Sequence, residues 1–305
     1  MELPDPEALR WIVKTFAHLR AAHGHAIGQP ALVQPTGEFF PDAFEADGAS
    51  LDRLLRRVLA YAPISGEVRV ELAVLVPDET HGGGCGSAAC GPGAAKGAAP
   101  ASVQELDDGY RVVVSAADLA NPDVLATALA RSAGALVLHE AGEAVGAQES
   151  EIAAIACGFG VLLANGASVW AKSCGGLRMA QATVLPVEEI AVALALFVAV
   201  SGHGASKARK HLGATQREAF ALAWDWLESN PLLVESLRDA PERLESGVLD
   251  LEPVRGVLGQ WLHKRKLEKA MRVARAPEPT PMTEERKRRL ERMEEVNALL
   301  DLPES

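Results

Sequence analysis

The chain lacks an excess of basic side chains. It has 41 Asp and Glu residues against 30 Lys and Arg residues, which gives a formal net charge of −11 at pH 7. Proteins that bind nucleic-acid phosphates or an anionic membrane surface usually present a basic face, and no basic stripe interleaved with aromatic residues occurs in this sequence. The composition therefore predicts that neither nucleic acid nor a membrane is a partner.

The given sequence also has no long apolar run, and its first residues do not have the pattern expected of a signal peptide. The longest apolar stretch, Ile190 to Val200, is shorter than the roughly 20 residues that a transmembrane helix needs. The first residues, Met1 to Pro6, lack the basic start and the apolar core of a signal peptide. We therefore expect a cytoplasmic protein, and its apolar content of 48% is sufficient for a substantial core.

Cysteine is scarce, with four residues in the chain. Cys157 lies in an apolar segment, which predicts a small buried apolar side chain. Cys85 and Cys90 lie in the Gly- and Ala-rich stretch Thr80 to Pro100, which is predicted to be a long loop. Their spacing matches no standard zinc-binding pair, and in a cytoplasmic protein we expect both thiols to be reduced.

The clearest candidate for a metal or catalytic site is the motif His139-Glu140-Ala141-Gly142-Glu143, which lies within the apolar run Ala135 to Ala147. Asn121 followed by Pro122 predicts a helix start, and we expect the helix to include Ala135 to Val145. In a His-Glu-x-x-His motif, two histidines on one helical face bind a metal ion and the Glu activates a bound water. Here Glu143 stands at the position of the second histidine.

Glu151 supplies a third candidate ligand. A short turn near Ala147 would be followed by a second apolar helix, from Ser150 to about Trp170, antiparallel to the first. Glu143 and Glu151 would then face each other across the helix pair. The predicted site has His139, Glu143 and Glu151 as metal ligands and Glu140 as the general base.

Two anionic ligands change the metal preference of such a site. They cancel most of the charge of the ion, which favours Mn²⁺ or Fe²⁺ relative to a histidine-rich zinc site. The competing interpretation is that no metal is bound. In that case the helix end is partly hydrated and the carboxylates pair with Arg or Lys.

Four segments, in order along the chain, resemble a poorly characterised bacterial family of zincin-like proteins. They are Pro35 to Asp42, Leu138 to Glu143, Gly158 to Asn165 and Leu194 to Phe197. Members of that family usually have an intact His-Glu-Leu-x-His, and an Asp at the position of Glu151 is a further candidate ligand. The resemblance spans about Pro4 to Arg238 and implies a zincin-like metallopeptidase fold, with no established substrate.

The pattern along the chain predicts a mainly helical α+β protein with a minimal zincin-like core. A strand at Val68 to Val76 and a hairpin turning at Asp107-Asp108-Gly109 predict a small antiparallel sheet. We expect a domain at 1–240 and a helical C-terminal extension at 241–305. The extension has a Pro-rich linker near Ala276 to Pro281 and a charged terminal helix, which is a candidate for docking a partner.

Two functions from different classes fit these observations. The first is a metal-dependent peptidase or hydrolase with a degenerate site. The second is a catalytically inactive pseudoenzyme that acts as a protein-binding or scaffold module, with or without a metal. Glu143 favours the second because the usual histidine ligand is lost, and both predict a protein or peptide partner.

Overall fold

The computed structural model describes residues 1–45, 47–64, 68–75, 102–173, 176–246, 249 and 251–253. Met1–Val254 forms one compact unit. The predicted Cys85 and Cys90 loop, the Pro-rich linker and the charged terminal helix lie outside the described residues.

Helices make up most of the described chain, which confirms the predicted mainly helical α+β class. In chain order they are α1 (Pro6–Ile27), α2 (Gly48–Leu59), α3 (Pro122–Glu140), α4 (Ala147–Ala154), α5 (Gly160–Gly166), α6 (Val187–Val200), α7 (Ala205–Arg209), α8 (Ala214–Ser229), α9 (Pro231–Asp239) and α10 (Glu242–Ser246). A 3₁₀ turn at Ala116–Ala120 precedes α3, and a π-helical turn at Ile155–Phe159 joins α4 to α5.

The start of α3 follows directly from its sequence. The Asn121 side chain accepts hydrogen bonds from the backbone N–H groups of Asp123, at 3.0 Å, and Val124, at 3.5 Å. Pro122 occupies the first helical position, where its missing N–H costs nothing. The predicted helix start is confirmed.

The sheet next to α3 is mixed, whereas the sequence predicted an antiparallel sheet. Its strands are β1 (Arg69–Leu75), β2 (Ser102–Leu106) and β3 (Gly109–Ser115), in the order β1-β3-β2. β2 and β3 form the predicted antiparallel hairpin, but β1 pairs with β3 in parallel. A parallel pair needs a long crossover, and residues 76–101 together with β2 provide the chain length for one.

A second, unpredicted hairpin follows α5. It consists of β4 (Val169–Ser173) and β5 (Gly176–Ala180), which pair antiparallel. The sequence predicted helix up to Trp170, but the helix ends at Gly166. Trp170 instead pairs across the hairpin with Met179, and the two side chains are 68% and 61% exposed.

The core lies between α1, α3, α6 and the run from α4 to α5. Gly134 of α3 has no room for a side chain, because a Cβ there would collide with the backbone oxygen of Ser150 and the backbone nitrogen of Ala154. Gly158 has φ 101° and lies against the carbonyl oxygen of Ala31. These close contacts fix α4 against α3 and the segment after α1 against the π-helical turn.

The run Ala147–Gly166 is long and apolar enough to cross a membrane by composition, and 83% of its apolar window is buried inside the protein. Such burial is typical of the core helix of a water-soluble protein. Cys157, within this run, is buried and free, as predicted, and burial raises the pKa of its thiol to about 12.

Candidate functional site

The helix that carries the His139 motif ends before the motif is complete. α3 stops at Glu140, and Gly142 takes φ 70°. The N–H of Gly142 donates to the carbonyl of His139, at 2.9 Å, and the N–H of Glu143 donates to that of Leu138, at 3.0 Å. These two bonds form a Schellman motif, a common helix end that places glycine in the left-handed region. The prediction of a helix through Val145 was therefore wrong over its last five residues, and Glu143 does not continue the helical face of His139.

Glu143 contacts two histidines of α1 instead. The Nε2 atom of His18 lies 3.0 Å from both carboxylate oxygens of Glu143, and the Nε2 atom of His23 lies 2.7 Å from one of them. The other ring nitrogen of His18, Nδ1, lies 2.9 Å from a carboxylate oxygen of Glu245 in α10. We call these four side chains the α1 histidine cluster.

The ionisation of the cluster follows from these contacts. The hydrogen bond with Glu245 is the main reason why the pKa of His18 lies above 6.5, partial burial opposes it, and Glu143 adds to the rise. For Glu143, partial burial alone would raise the pKa. The hydrogen bonds with His18 and His23 outweigh it and hold the pKa of Glu143 below its ordinary value.

Glu151 points inward, as predicted, and its side chain is completely buried. It accepts hydrogen bonds from the backbone N–H groups of Val184, at 2.7 Å, and Leu185, at 2.9 Å, and from Nη1 of Arg131, at 3.3 Å. The same Nη1 donates to the carbonyl of Ala182, at 2.9 Å. Burial raises the pKa of Glu151, against the lowering from these three donors. Glu151 thus fastens the segment before α6 to α4.

The remaining two predicted site residues contact β3. The ring of His139 lies 5.4 Å from that of Tyr110, between centroids. The nearby carboxylate of Glu140, with some desolvation, raises the pKa of Tyr110. Glu140 itself is exposed to solvent.

Glu143 and Glu151 have partners of their own, and His139 and Glu140 share Tyr110, so these contacts do not join the four predicted residues as one ligand set. Within the described residues, no group of three or more His, Cys, Asp or Glu side chains is arranged to hold a metal ion.

Sequence reasoning missed Arg131, His18 and His23. Arg131 could have been recognised from the sequence, because it is the only Lys, Arg, Asp or Glu between Asp123 and Glu140 in an otherwise apolar helix. A lone charge on a buried helix requires a buried partner. The histidines left no local signal, because their partner lies 120 residues or more along the chain.

A cleft of about 500 Å³ opens on the other end of α3. It lies between the segment Pro35–Gly37, α2, the first turns of α3, and α5. Its walls are mainly apolar, and they include Phe40, Phe44, Leu54, Leu125, Ala126 and Leu162. The Thr36 Oγ1 atom at its wall is buried and has no hydrogen-bond partner in the described part of the chain. We call this the apolar cleft, and its size and lining suit a binding site.

A second cleft, of about 420 Å³, adjoins the first. Asp123 and Asn165 line both clefts. The second is more polar, and it is bounded by the exposed Trp170 on β4 and by the start of α8 at Gln216. The Gln216 amide donates to the carbonyl of Ser168, at 2.8 Å, which holds this wall in place. We call it the polar cleft.

Comparison with known proteins adds no identification to this geometry. No protein-family model, no curated protein and no solved structure matches the chain.

Proposed function

We propose that this protein is a non-catalytic, protein-binding module with a zincin-like helical body. The main support for the proposal is the role of Glu151 in the core. Its carboxylate accepts hydrogen bonds from Val184, Leu185 and Arg131. A ligand in use as a structural acceptor is not available to a metal ion. The helical body is proposed to share an ancestor with zincin-like proteins. The support is the resemblance of the segments that begin at Pro35, Leu138, Gly158 and Leu194.

The remaining parts of a hydrolytic site support the same proposal. A zinc hydrolase holds its ion with three protein ligands and keeps one position for water. Here Glu143 contacts His18 and His23, and Glu140 interacts with Tyr110. The general base of the motif therefore has no ligand set beside it.

The partner is a protein or peptide. The net charge of −11 argues against a nucleic acid or an anionic membrane surface. We place the protein in the cytoplasm, supported by its acidic composition and by the burial of Ala147–Gly166, the membrane-length apolar run found among the described residues.

Metal content tests this proposal. Protein purified without an affinity metal column should contain far less than one equivalent of metal by elemental analysis. Its melting temperature should be unchanged by Zn²⁺ or Mn²⁺, because only a ligand that binds the folded state stabilises it. Peptidase assays should give the same background for the wild type and for Glu140→Gln.

The opposite result supports the metal-dependent hydrolase. It would consist of stoichiometric metal, a rise in melting temperature that His139→Leu abolishes, and hydrolysis that Glu140→Gln abolishes while metal remains bound.

A further inference from the structure

The apolar and polar clefts form one groove, because they share Asp123 and Asn165. Asn165 is fixed at this junction: its amide nitrogen donates to the carbonyl of His211, at 3.0 Å, and its amide oxygen accepts from the N–H of Gly213, at 3.4 Å. The groove therefore runs from Phe44, past the start of α3, to Trp170. A groove with two chambers suits an elongated ligand better than a compact one.

The apolar end is suited to one large side chain. Phe40, Phe44, Leu125 and Leu162 all line it. Phe44 is 41% exposed, although it is a large apolar side chain. A ligand that places an apolar side chain here would cover apolar surface that is now open to solvent.

The charge of the groove selects a basic ligand. Among the described residues that line the two clefts, Asp123 is the only one with a charged side chain. It is exposed and lies at the junction. Trp170, beyond it, is 68% exposed, and an indole face attracts Lys and Arg by a cation–π interaction. Both residues line the polar cleft, which therefore offers a basic side chain a carboxylate and an indole.

We propose that this groove binds an extended peptide segment in which an aromatic or large aliphatic residue stands near a Lys or Arg. The apolar residue occupies the apolar cleft. The basic residue lies between Asp123 and Trp170. This inference rests on the proposed function, since it names the partner class of the binding module.

The experiment is selection of a random peptide library, displayed on phage, against the full-length protein. The enriched peptides should share an apolar residue and a Lys or Arg within a few positions. A synthetic peptide of the enriched sequence is then titrated against variants by calorimetry. Ala126→Trp fills the apolar cleft and should weaken binding about tenfold or more. Asp123→Asn should weaken binding several-fold at low salt and less at high salt, because it removes a rim charge.

Two control variants make the same kinds of side-chain change outside the groove. Ala21→Trp adds an indole to an exposed position of α1, and Glu235→Gln removes an exposed carboxylate of α9; neither residue lines a cleft. Both should bind as the wild type does. A photo-crosslinking benzophenone at the apolar position of the peptide should label residues of the apolar cleft in the wild-type protein, a readout that does not require any variant to fold.

The proposal is overturned if no sequence is enriched, if binding is unaffected by Ala126→Trp, or if the crosslinks fall outside the groove. Enrichment of acidic peptides would also overturn it. These outcomes are independent of metal content, so a failure of the groove is distinguishable from a failure of the non-catalytic assignment.

Discussion

Arg131 and Glu151 form an ion pair in the interior. Arg131 is 5% exposed and Glu151 is not exposed at all. Removing two charges from water costs several kcal/mol per ion, roughly, and the mutual attraction offsets this only when the remaining hydrogen bonds are also satisfied. Glu151 meets this condition with three donors. Arg131 meets it only in part: its Nη1 also donates to Ala182, but its buried Nε has no partner among the described residues. The pair therefore fixes the segment before α6 in one arrangement and is not a large source of net stability.

Replacing one partner should expose this cost. Glu151→Gln leaves the Arg131 charge buried and uncompensated, so we expect the free energy of unfolding to fall by roughly 3 kcal/mol. Urea denaturation at neutral pH measures it. The double variant Arg131→Met with Glu151→Gln removes both charges and should recover part of the loss.

The same experiment bears on the predicted metal site. If Glu151 were a metal ligand, Glu151→Gln would change stability only in the presence of metal, and the double variant would recover nothing. A loss that is the same in chelator and in Zn²⁺, with partial recovery, would show a structural acid.

Helix ends decided how well the elements could be predicted. The start of α3 could be predicted because Asn121 and Pro122 act on their immediate neighbours. The end of α3 was missed because Gly142 also fits a helical pattern, at a moderate cost. The β4–β5 hairpin was missed because its strands are short and follow an apolar helix without a proline break.

Gly142 offers a test of the helix end. Its φ of 70° is strained for any residue with a Cβ, and no atom stands within 4 Å of where a Cβ would lie. Gly142→Ala should therefore destabilise the protein by about 1–2 kcal/mol through backbone strain alone. Thermal or urea denaturation would measure it.

The matched control is Gly24→Ala in α1, where the backbone is helical and the Cβ position is also open. This substitution should stabilise by about 0.5–1 kcal/mol, because alanine loses less backbone entropy on folding. If Gly142→Ala also stabilised the protein, α3 would continue past Glu140, and His139 and Glu143 would share a helical face as the sequence first indicated.

At the scale of the whole molecule, contacts between residues far apart in the sequence could not be predicted. The sequence correctly predicted that Glu151 faces inward, because the apolar spacing around it shows the buried face. It could not identify Arg131 as the partner, nor the parallel pairing of β1 with β3, because neither is encoded in neighbouring residues. The candidate ligands were predicted by type and spacing, while their partners depend on how α1 and α10 pack around the end of α3.

The α1 histidine cluster joins three distant parts of the chain: α1, the turn after α3, and α10. His18 contacts a carboxylate at each ring nitrogen, Glu245 at Nδ1 and Glu143 at Nε2. A neutral imidazole has one N–H, so only the protonated ring donates to both. The packing of α10 on the body should therefore depend on the charge of His18.

The pH dependence of stability follows from the two pKa shifts. The pKa of His18 is raised above 6.5 in the folded protein, so its contribution is complete below 6.5 and is lost as the pH rises through the folded value. The pKa of Glu143 is lowered from 4.5, so its contribution is present above 4.5 and is lost as the pH falls through the folded value. The cluster should stabilise the fold most between about pH 4.5 and 6.5.

His18→Gln isolates this contribution. The variant should be less stable than the wild type at mildly acidic pH, by less than about 1 kcal/mol because the side chain of His18 is partly exposed. The difference should shrink as the pH rises from 6.5 through the folded pKa of His18, since the wild-type ring then loses its second proton. Urea denaturation of both proteins across this range measures the difference, and His211→Gln, which changes a histidine outside the cluster, should show no such trend. A difference that is constant or grows with pH would mean that His18 acts by packing and not by its charge, and α10 would then be held on α1 by its apolar contacts alone.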